Sequence, residues 1–422
     1  MSKKRILIIS QNFYPEIGSA GNRIKNIYQL LKSTYEVDVL TTEASYPNKK
    51  LYVDEDFWYD QKLNEDEHIY RVKITNRKYT KSMFNRLLYY LEMMMRMIWM
   101  ILFSKNKYDT VFVTSPPIFL GLVGILAKLR FKAKLILDVR DLWPDSLKGV
   151  GVFNYKWVIG FFKVIEKCMY NQADSIVINS KGFYNPILQV LKKDMPILFM
   201  PNSIREEEFV LEQQKNEDFT VVYSGNIGLA QDVEFLKDLS RALYEKGITL
   251  KVIGFGLKRG ELQDFVKEHK LKNVHFIKAM TRQQCLKLIK QSHVGVLGLK
   301  DEDVFDTVLP GKLIDYIACG LPIVAGVSGY TKSIIEEKGI GYVSETRDVN
   351  EIVKYVMYLK DNMDVVNDIV KKNKAIINKD FLWESNINIL INTIEDQMST
   401  REMQNVVPRK DEKIININSK VQ

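Results

Sequence analysis

The chain has 422 residues, 46% of them apolar, with 61 Lys and Arg against 52 Asp and Glu and a formal net charge of +9. That length predicts two to three domains at ~150 residues each, with enough apolar content for real cores. The charge excess is modest and spread along the chain; it suits an anionic small ligand or an acidic membrane surface, and with no basic stripe on a known binding motif it argues against nucleic acid. Cys168, Cys285 and Cys319 show no metal or redox spacing, which predicts a reducing cytoplasm. His68, His269, His275 and His293 lack metal-ligand spacing, so no cofactor and no catalytic metal held by the protein alone are expected. The opening "MSKKRILIISQNFYPEIG" is basic then apolar, but its apolar run, Ile6 to Ile9, is too short for a signal-peptide core.

In chain order, "RILIIS" reads as a strand, "NRIKNIYQLLKS" as a helix and "EVDVLT" as a strand. Next comes the most hydrophobic stretch, Met83 to Phe103, interrupted by Arg86, Glu92 and Arg96. It is long enough to span a bilayer, yet three charges near its middle make an amphipathic helix the better reading, either in an α/β core layer or on a membrane surface. "TVFVTS", "KLILDV" and "SIVINS" follow as strands, each leading into a helix-like segment. The series pauses at "PILFMPNSIREEEF" and restarts with "FTVVYSGNIG", "TLKVIGFG", "NVHFIKA", "HVGVLGL" and "PIVAGV". Continuous β-branched runs mark strands buried on both faces, hence parallel sheets. The fold class is α/β, with two doubly wound, Rossmann-like domains facing across a cleft. The predicted division is 1–205, 206–378, a late amphipathic helix within 379–398, and a polar, charged composition over 399–422 that predicts a disordered tail.

Ligands of such sheets bind beyond the carboxyl ends of the strands, where glycine loops and helix N-termini hold anions. Four segments fit. "QNFYPEIGSAGNR" places Gly18 and Gly21 after the first strand, with Arg23 entering the next helix; it is either a binding loop or a plain connection. "LDVRDLWPDSLKGVG" clusters Asp138, Arg140, Asp141 and Asp145 around Trp143 and Pro144. Charges at a strand end are costly unless solvated or engaged, so Arg140 is a candidate for a phosphate or acceptor carboxylate and Asp141 for a base or hydroxyl acceptor. The alternative is a structural Asp–Arg pair. "YSGNIGLAQDVEFL" flanks Asn226 with Gly225 and Gly228 and offers Asp232 as an N-cap. "VIGFGLKRGEL" adds Gly254 and Gly256, the latter read as a simple turn.

The fourth segment is "DTVLPGKLIDYIACGLPIV". Pro310 and Gly311 open a helix with Lys312 in its first turn, the end where the macrodipole disfavours a cation. A diphosphate there would meet free N–H groups and the lysine, with Asp315 on the same face available to a ribose; a Lys312–Asp315 surface pair is the plainer alternative.

In this order and spacing the four segments resemble the family 4 glycosyltransferases, of GT-B fold, over about residues 3 to 395. "DVRDLWPDS", "SGNIGLAQDVEFL" and "LPGKLIDYIACGLPIV" are most similar to the bacterial branch that makes capsule, O-antigen or colanic-acid polysaccharides, including N-acetyl-L-fucosaminyltransferase-like members. The resemblance implies a retaining, metal-independent transfer from a nucleotide-sugar. The donor would lie on the second domain against Gly225, Asn226, Gly254, Gly311, Lys312, Asp315 and Thr307, approached by Gly18. The acceptor side would be Arg140, Trp143 and Asp145, the catalytic groups Arg140, Asp141 and Lys312, and the helix at Trp383 would cross back onto the first domain. The chain departs from the family where its first motif Glu becomes Thr307, its Arg and Lys become Asn226 and Gln231, and its His becomes Arg140. Lys312 is the replacement cation to consider, with Arg205 and Lys258 behind it. The implied partners are a UDP-linked N-acetyl or 6-deoxy amino sugar and a polyprenyl-diphosphate-linked saccharide, at the cytoplasmic face of the inner membrane, where Arg86 to Phe103 and "YKWVIGFFKVIEK" would dock. A nucleotide-sugar epimerase and a non-catalytic scaffold are the rival readings.

Overall fold

The computed structural model describes residues 3–75, 83–149, 155–209 and 214–396; the tail expected over 399–422 lies outside them. The first sheet contains β1 (Arg5–Ile9), β2 (Glu36–Thr42), β3 (Ile69–Val72), β4 (Thr110–Ser115), β5 (Lys134–Val139), β6 (Ser175–Ile178) and β7 (Ile197–Phe199). Its order is β3-β2-β1-β4-β5-β6-β7, with every pair parallel. The second contains β8 (Thr220–Ser224), β9 (Thr249–Ile253), β10 (Val274–Ile277), β11 (Val294–Gly298), β12 (Ile323–Gly326) and β13 (Gly341–Ser344), in the order β10-β9-β8-β11-β12-β13 and again all parallel. Helices cover both faces, which is why β4, β6, β8, β11 and β12 are buried along their whole length. Strand order reverses between β1 and β4 and between β8 and β11, so each sheet has its ligand crevice there.

The helix Met83–Phe103 has one buried and one exposed apolar face. Met93, Met97 and Ile101, spaced four apart, are buried in the first domain's core, and Tyr89, one turn earlier, is also buried. Another face leaves Met95, Trp99, Leu102 and Phe103 exposed, and Arg96 pairs with Glu92 at 2.8 Å. Among the described residues no helix is long and apolar enough to cross a membrane.

The chain passes between the domains twice, at Ile204 and Leu382, which form a parallel bridge. Beyond it the helix Trp383–Ile394 buries Trp383, Ile387, Leu390 and Ile394 in the first domain's core, against the helix Ser19–Leu31. Each such side chain contributes roughly 1.5–3 kcal/mol of burial. Glu395 then receives Lys4 and Tyr35, each at 2.9 Å.

At the centre of this region sits a fully buried ion pair. Arg23 grips Asp138 with Nη2 at 2.7 Å from Oδ1 and Nε at 3.1 Å from Oδ2. Its guanidinium also lies 5.6 Å from the Trp383 ring and reaches Asn202 Oδ1 at 3.4 Å. Asp138, read from sequence as one of the strand-end site charges, is therefore a structural group, and its partner is Arg23 rather than the adjacent Arg140. Asp138→Ala should cost about 3–5 kcal/mol of unfolding free energy, because it strands a buried guanidinium. Urea titration of the variant measures this; a loss below about 1 kcal/mol would contradict the account.

Candidate active site

The second domain supplies one wall of the cleft. Gly225 ends β8 at φ +112° and donates its N–H to Ile253 O at 2.9 Å. Gly254 ends β9 at φ +135°, where a Cβ would stand 2.2 Å from Gly225 O. The two loops therefore nest only as glycines. Gly256, expected to be an ordinary turn, is under the same constraint: φ is +140° and a Cβ would lie 2.2 Å from Ile227 O.

Facing these loops is the helix Gly311–Ala318, whose N-cap residue, Pro310, supplies no side-chain hydrogen bond. Lys312 sends its ammonium to Gln231 Oε1 at 2.8 Å and rests 4.0 Å from the centroid of the Tyr223 ring. Among the described residues no carboxylate lies within ion-pair distance of it. Burial pushes the Lys312 ammonium down to about 7. Asp315 turns the other way, accepting from Arg282 Nη2 at 2.9 Å, so the two do not form a surface pair. Arg282 also holds Glu208, Nε to Oε1 at 2.7 Å. Burial raises the Asp315 carboxyl, against the pull of Arg282. Arg282 is shifted the opposite way to a simply buried group: its two carboxylates more than offset burial and hold it charged.

The first domain supplies the other wall. Gly18, at φ +113°, precedes Ser19, whose Cβ would be 3.3 Å from a Cβ on Gly311, so the first glycine loop meets the start of the lysine helix. Glu16 anchors this loop to the one after β2, taking the N–H groups of Ser45 at 2.6 Å and Tyr46 at 2.8 Å. Burial pushes its carboxyl up to about 7. Arg140 donates Nε to Thr114 Oγ1 at 2.6 Å and Nη2 to Pro116 O at 3.0 Å. Burial pulls its guanidinium down, and Arg23 adds to this, while Asp138 and Asp141 oppose it. Burial pushes the neighbouring Asp141 up to about 6, with Arg140 opposing. Trp143 stands edge-on to Tyr90 and Phe162, at 6.5 and 5.8 Å.

These groups enclose a cavity of about 660 Å³ that brings together Gly18, Arg140, Asp141, Trp143, Gly225, Asn226, Gly254, Gly311, Lys312 and Asp315. Four predicted positions lie elsewhere. Thr307 turns Oγ1 back to Val304 O at 2.7 Å, and its carbonyl accepts from Ser180 of the first domain, so it joins the domains instead of lining the cavity. Asp145 is drawn away to Lys163 at 3.1 Å. Arg205 and Lys258 are occupied by Glu384 at 3.0 Å and Glu261 at 2.6 Å. Conversely, sequence reasoning missed Arg282 and Tyr46. Tyr46 OH accepts from Asn226 Nδ2 at 2.8 Å, and its ring meets Phe255 edge-on at 5.7 Å, bridging the cleft. Among the described residues no group of three His, Cys, Asp or Glu side chains could hold a metal ion.

Two family models match consecutive parts of the chain: "Glycosyl transferase 4-like domain" over 18–202 and "Glycosyl transferases group 1" over 204–376. The chain is a GT-B glycosyltransferase of the family 4 type. A protein of Escherichia coli (strain K12), whose name assigns it to colanic acid biosynthesis as the glycosyl transferase WcaI, is 21% identical to this glycosyltransferase over 347 residues, covering 78% of this chain and 84% of its own. The chitobiosyldiphosphodolichol beta-mannosyltransferase of Candida albicans is 22% identical over 316 residues, 68% of each chain. Among solved structures, Anabaena Alr3699/HepE in complex with UDP and glucose shares the fold, with a TM-score of 0.66 at 13% identity over 93% of this chain and 100% of that one.

The lowered Lys312 ammonium sets a pH dependence in this glycosyltransferase. Its folded value, about 7, is below the ordinary value of 10.5, so between the two the unfolded chain binds more protons and stability contributed by this group rises with pH. Urea titrations from pH 7 to 9.5 should show a steeper rise for the wild type than for Lys312→Met; parallel curves would show that Lys312 is not held in this state.

Proposed function

We propose that the protein transfers a sugar, with retention at the anomeric carbon, from a nucleotide-sugar onto a polyprenyl-diphosphate-linked saccharide in bacterial surface-polysaccharide synthesis. The donor is read as a UDP-linked N-acetyl or 6-deoxy amino sugar such as N-acetylfucosamine. The observation that carries the reading is the half-buried Lys312 ammonium, with no carboxylate within ion-pair distance among the described residues, in the first turn of a helix whose N-cap side chain makes no hydrogen bond. A diphosphate placed there completes both, regaining the lysine's full charge and the helix's open N–H groups. UDP in a solved neighbour and the diphosphodolichol in a relative's name support the two substrate classes.

The chemistry follows from where charge grows. As the anomeric C–O bond breaks, negative charge collects on the leaving diphosphate, and Lys312 and the helix N–H groups are pre-placed to stabilise it. Removing one such donor costs roughly 2.7–4 kcal/mol in other enzymes. Arg282 fixes Asp315, which leaves that carboxylate oriented for the ribose. Arg140 and Asp141 face this from the other wall, where Asp141, ionised above about 6, accepts from a sugar or acceptor hydroxyl. Retention is written as front-face attack, the departing phosphate oxygen taking the acceptor proton. In this scheme protein cations carry the leaving-group charge, so no metal is required.

The acceptor reading extends to a membrane surface. Three neighbouring helices, Met83–Phe103, Phe119–Phe131 and Lys156–Gln172, leave Trp99, Phe103, Leu129, Trp157 and Phe161 exposed, with Trp157 at 76%. Aromatic side chains beside Lys156, Lys163 and Lys167 suit the interface of an anionic leaflet, here the cytoplasmic face of the inner membrane.

Calorimetry with UDP, GDP and their sugars should give one nucleotide class that binds, and Lys312→Ala should lower kcat/KM more than tenfold with the fold intact by circular dichroism. Unchanged turnover would remove the phosphate role, and turnover of donor without acceptor would favour the epimerase. Vesicles containing anionic lipid should co-sediment the protein at low salt, with Trp99→Ser/Trp157→Ser weakening this at least fivefold; no dependence on anionic lipid or on these residues would sink the membrane reading.

A further inference from the structure

Beyond Tyr46 the cleft opens into a second cavity of about 1300 Å³, twice the size of the one around Lys312. Small-molecule sites run ~300–1,000 Å³, so the proposed donor accounts for the smaller space and leaves the larger one without an occupant. One wall is the loop after β2, the residues Lys73–Thr75 after β3 and the start of the helix Met83–Phe103; the other is the loop after β8, shared with the first cavity, and the loop after β9, with Lys278 after β10.

The lining is strongly one-signed. Six basic side chains face it, Lys49, Lys50, Lys73, Arg86, Arg259 and Lys278, against a single carboxylate, Glu43. Glu43 is committed to Lys49 at 2.8 Å. Among the described residues no carboxylate lies within ion-pair distance of Lys50, Lys73 or Lys278. Arg259 lies 5.6 Å from the Phe276 ring centroid and offers only a long bond, 3.4 Å, to Gln263, while its Nε is buried with no hydrogen-bond partner among the described residues. Like charges around a concave wall repel and focus a positive potential into the space between them, which a compact polyanion relieves. The donor's diphosphate is read at Lys312 in the other cavity; the two cavities share Asn226, Gln231, Gly254 and Phe255 along the second-domain wall, and Tyr46, tied to Asn226 and Phe255, stands between their first-domain sides. The same wall continues into the helix that exposes Trp99 and Phe103, so an anionic head here can carry a hydrocarbon tail toward that apolar face.

We infer that this cavity binds the diphosphate of the lipid-linked acceptor, on the far side of Tyr46 from the donor. The inference rests on the donor reading above only for its choice of acceptor; the anion site stands on its own lining.

The test is calorimetry on the full chain with farnesyl diphosphate, run both with and without the nucleotide that the donor screen selects. Inorganic pyrophosphate and farnesol serve as companion probes. Farnesyl diphosphate should bind in both states, pyrophosphate should compete with it, and farnesol should not replace it. Lys50→Glu/Lys278→Glu should raise its Kd at least tenfold and Arg259→Gln at least threefold, with nucleotide affinity changed less than twofold. Displacement of farnesyl diphosphate by the nucleotide, equal binding of farnesol, or an unchanged Kd in the charge-reversed variant would each overturn the inference. Should no nucleotide bind while farnesyl diphosphate binding still falls in that variant, the donor reading fails and the anion site holds.

Discussion

The buried Arg23–Asp138 pair is the contact on which the geometry of the cleft depends. Arg23 lies on the helix that follows the Gly18 loop, and Asp138 lies on β5 just before Arg140 and Asp141. A guanidinium held by two oxygens has little freedom to slide, so the pair fixes the first glycine loop against the β5 end. Trp383 packs on the same guanidinium, which adds the returning C-terminal helix to the assembly. Desolvating two charges is costly, and a well-packed apolar pair could match its stability. What the ion pair adds is direction: an apolar contact sets no orientation between its partners, whereas a bidentate fork fixes one.

The opposite wall contains two cations in contrasting states. Arg282 is fully committed, with a carboxylate on each side, and serves to orient Asp315. Lys312 has only a neutral amide and an aromatic face, and burial leaves its ammonium easily deprotonated. A site built only of committed cations would gain little from an incoming anion, because each would have to be released from its partner first. A site built only of uncommitted ones would strain the free fold. The division gives orientation from one group and attraction from the other, which is why the lysine at the unfavourable end of its helix is not a packing error.

The strands were legible because parallel sheets covered on both faces demand continuous Val, Ile and Leu runs, and few other structures do. Much of the cavity was legible for a related reason: βα loops at the carboxyl edges converge wherever strand order reverses, so Gly18, Arg140, Gly225 and Gly254 were bound to meet. Residue type failed where it competed with partners distant in sequence. Nothing near Asp145 marks Lys163 as its partner, and nothing near Thr307 marks Ser180. Arg282 starts a helix with an ordinary capping box at Thr281, so its site role depends on where Asp315 arrives from another element. Gly256 shows the same limit from the other side, since its need for positive φ comes from the approach of Ile227 in a neighbouring loop.

Tyr46 draws these observations together. It sits on a loop of one domain, hydrogen-bonds to the other, and stands between the compact cavity around Lys312 and the broad one lined by Lys50, Lys73 and Lys278. Its position is set by Glu16, whose carboxylate receives the Tyr46 N–H from within the first glycine loop. The loop that approaches the lysine helix through Gly18 thus also holds the partition between the cavities. Any movement of that loop on filling one cavity must be felt at the partition, through two short hydrogen bonds to a single buried carboxyl. In the proposed transfer, such coupling would let two anionic substrates stand close enough to react while their phosphates are kept apart.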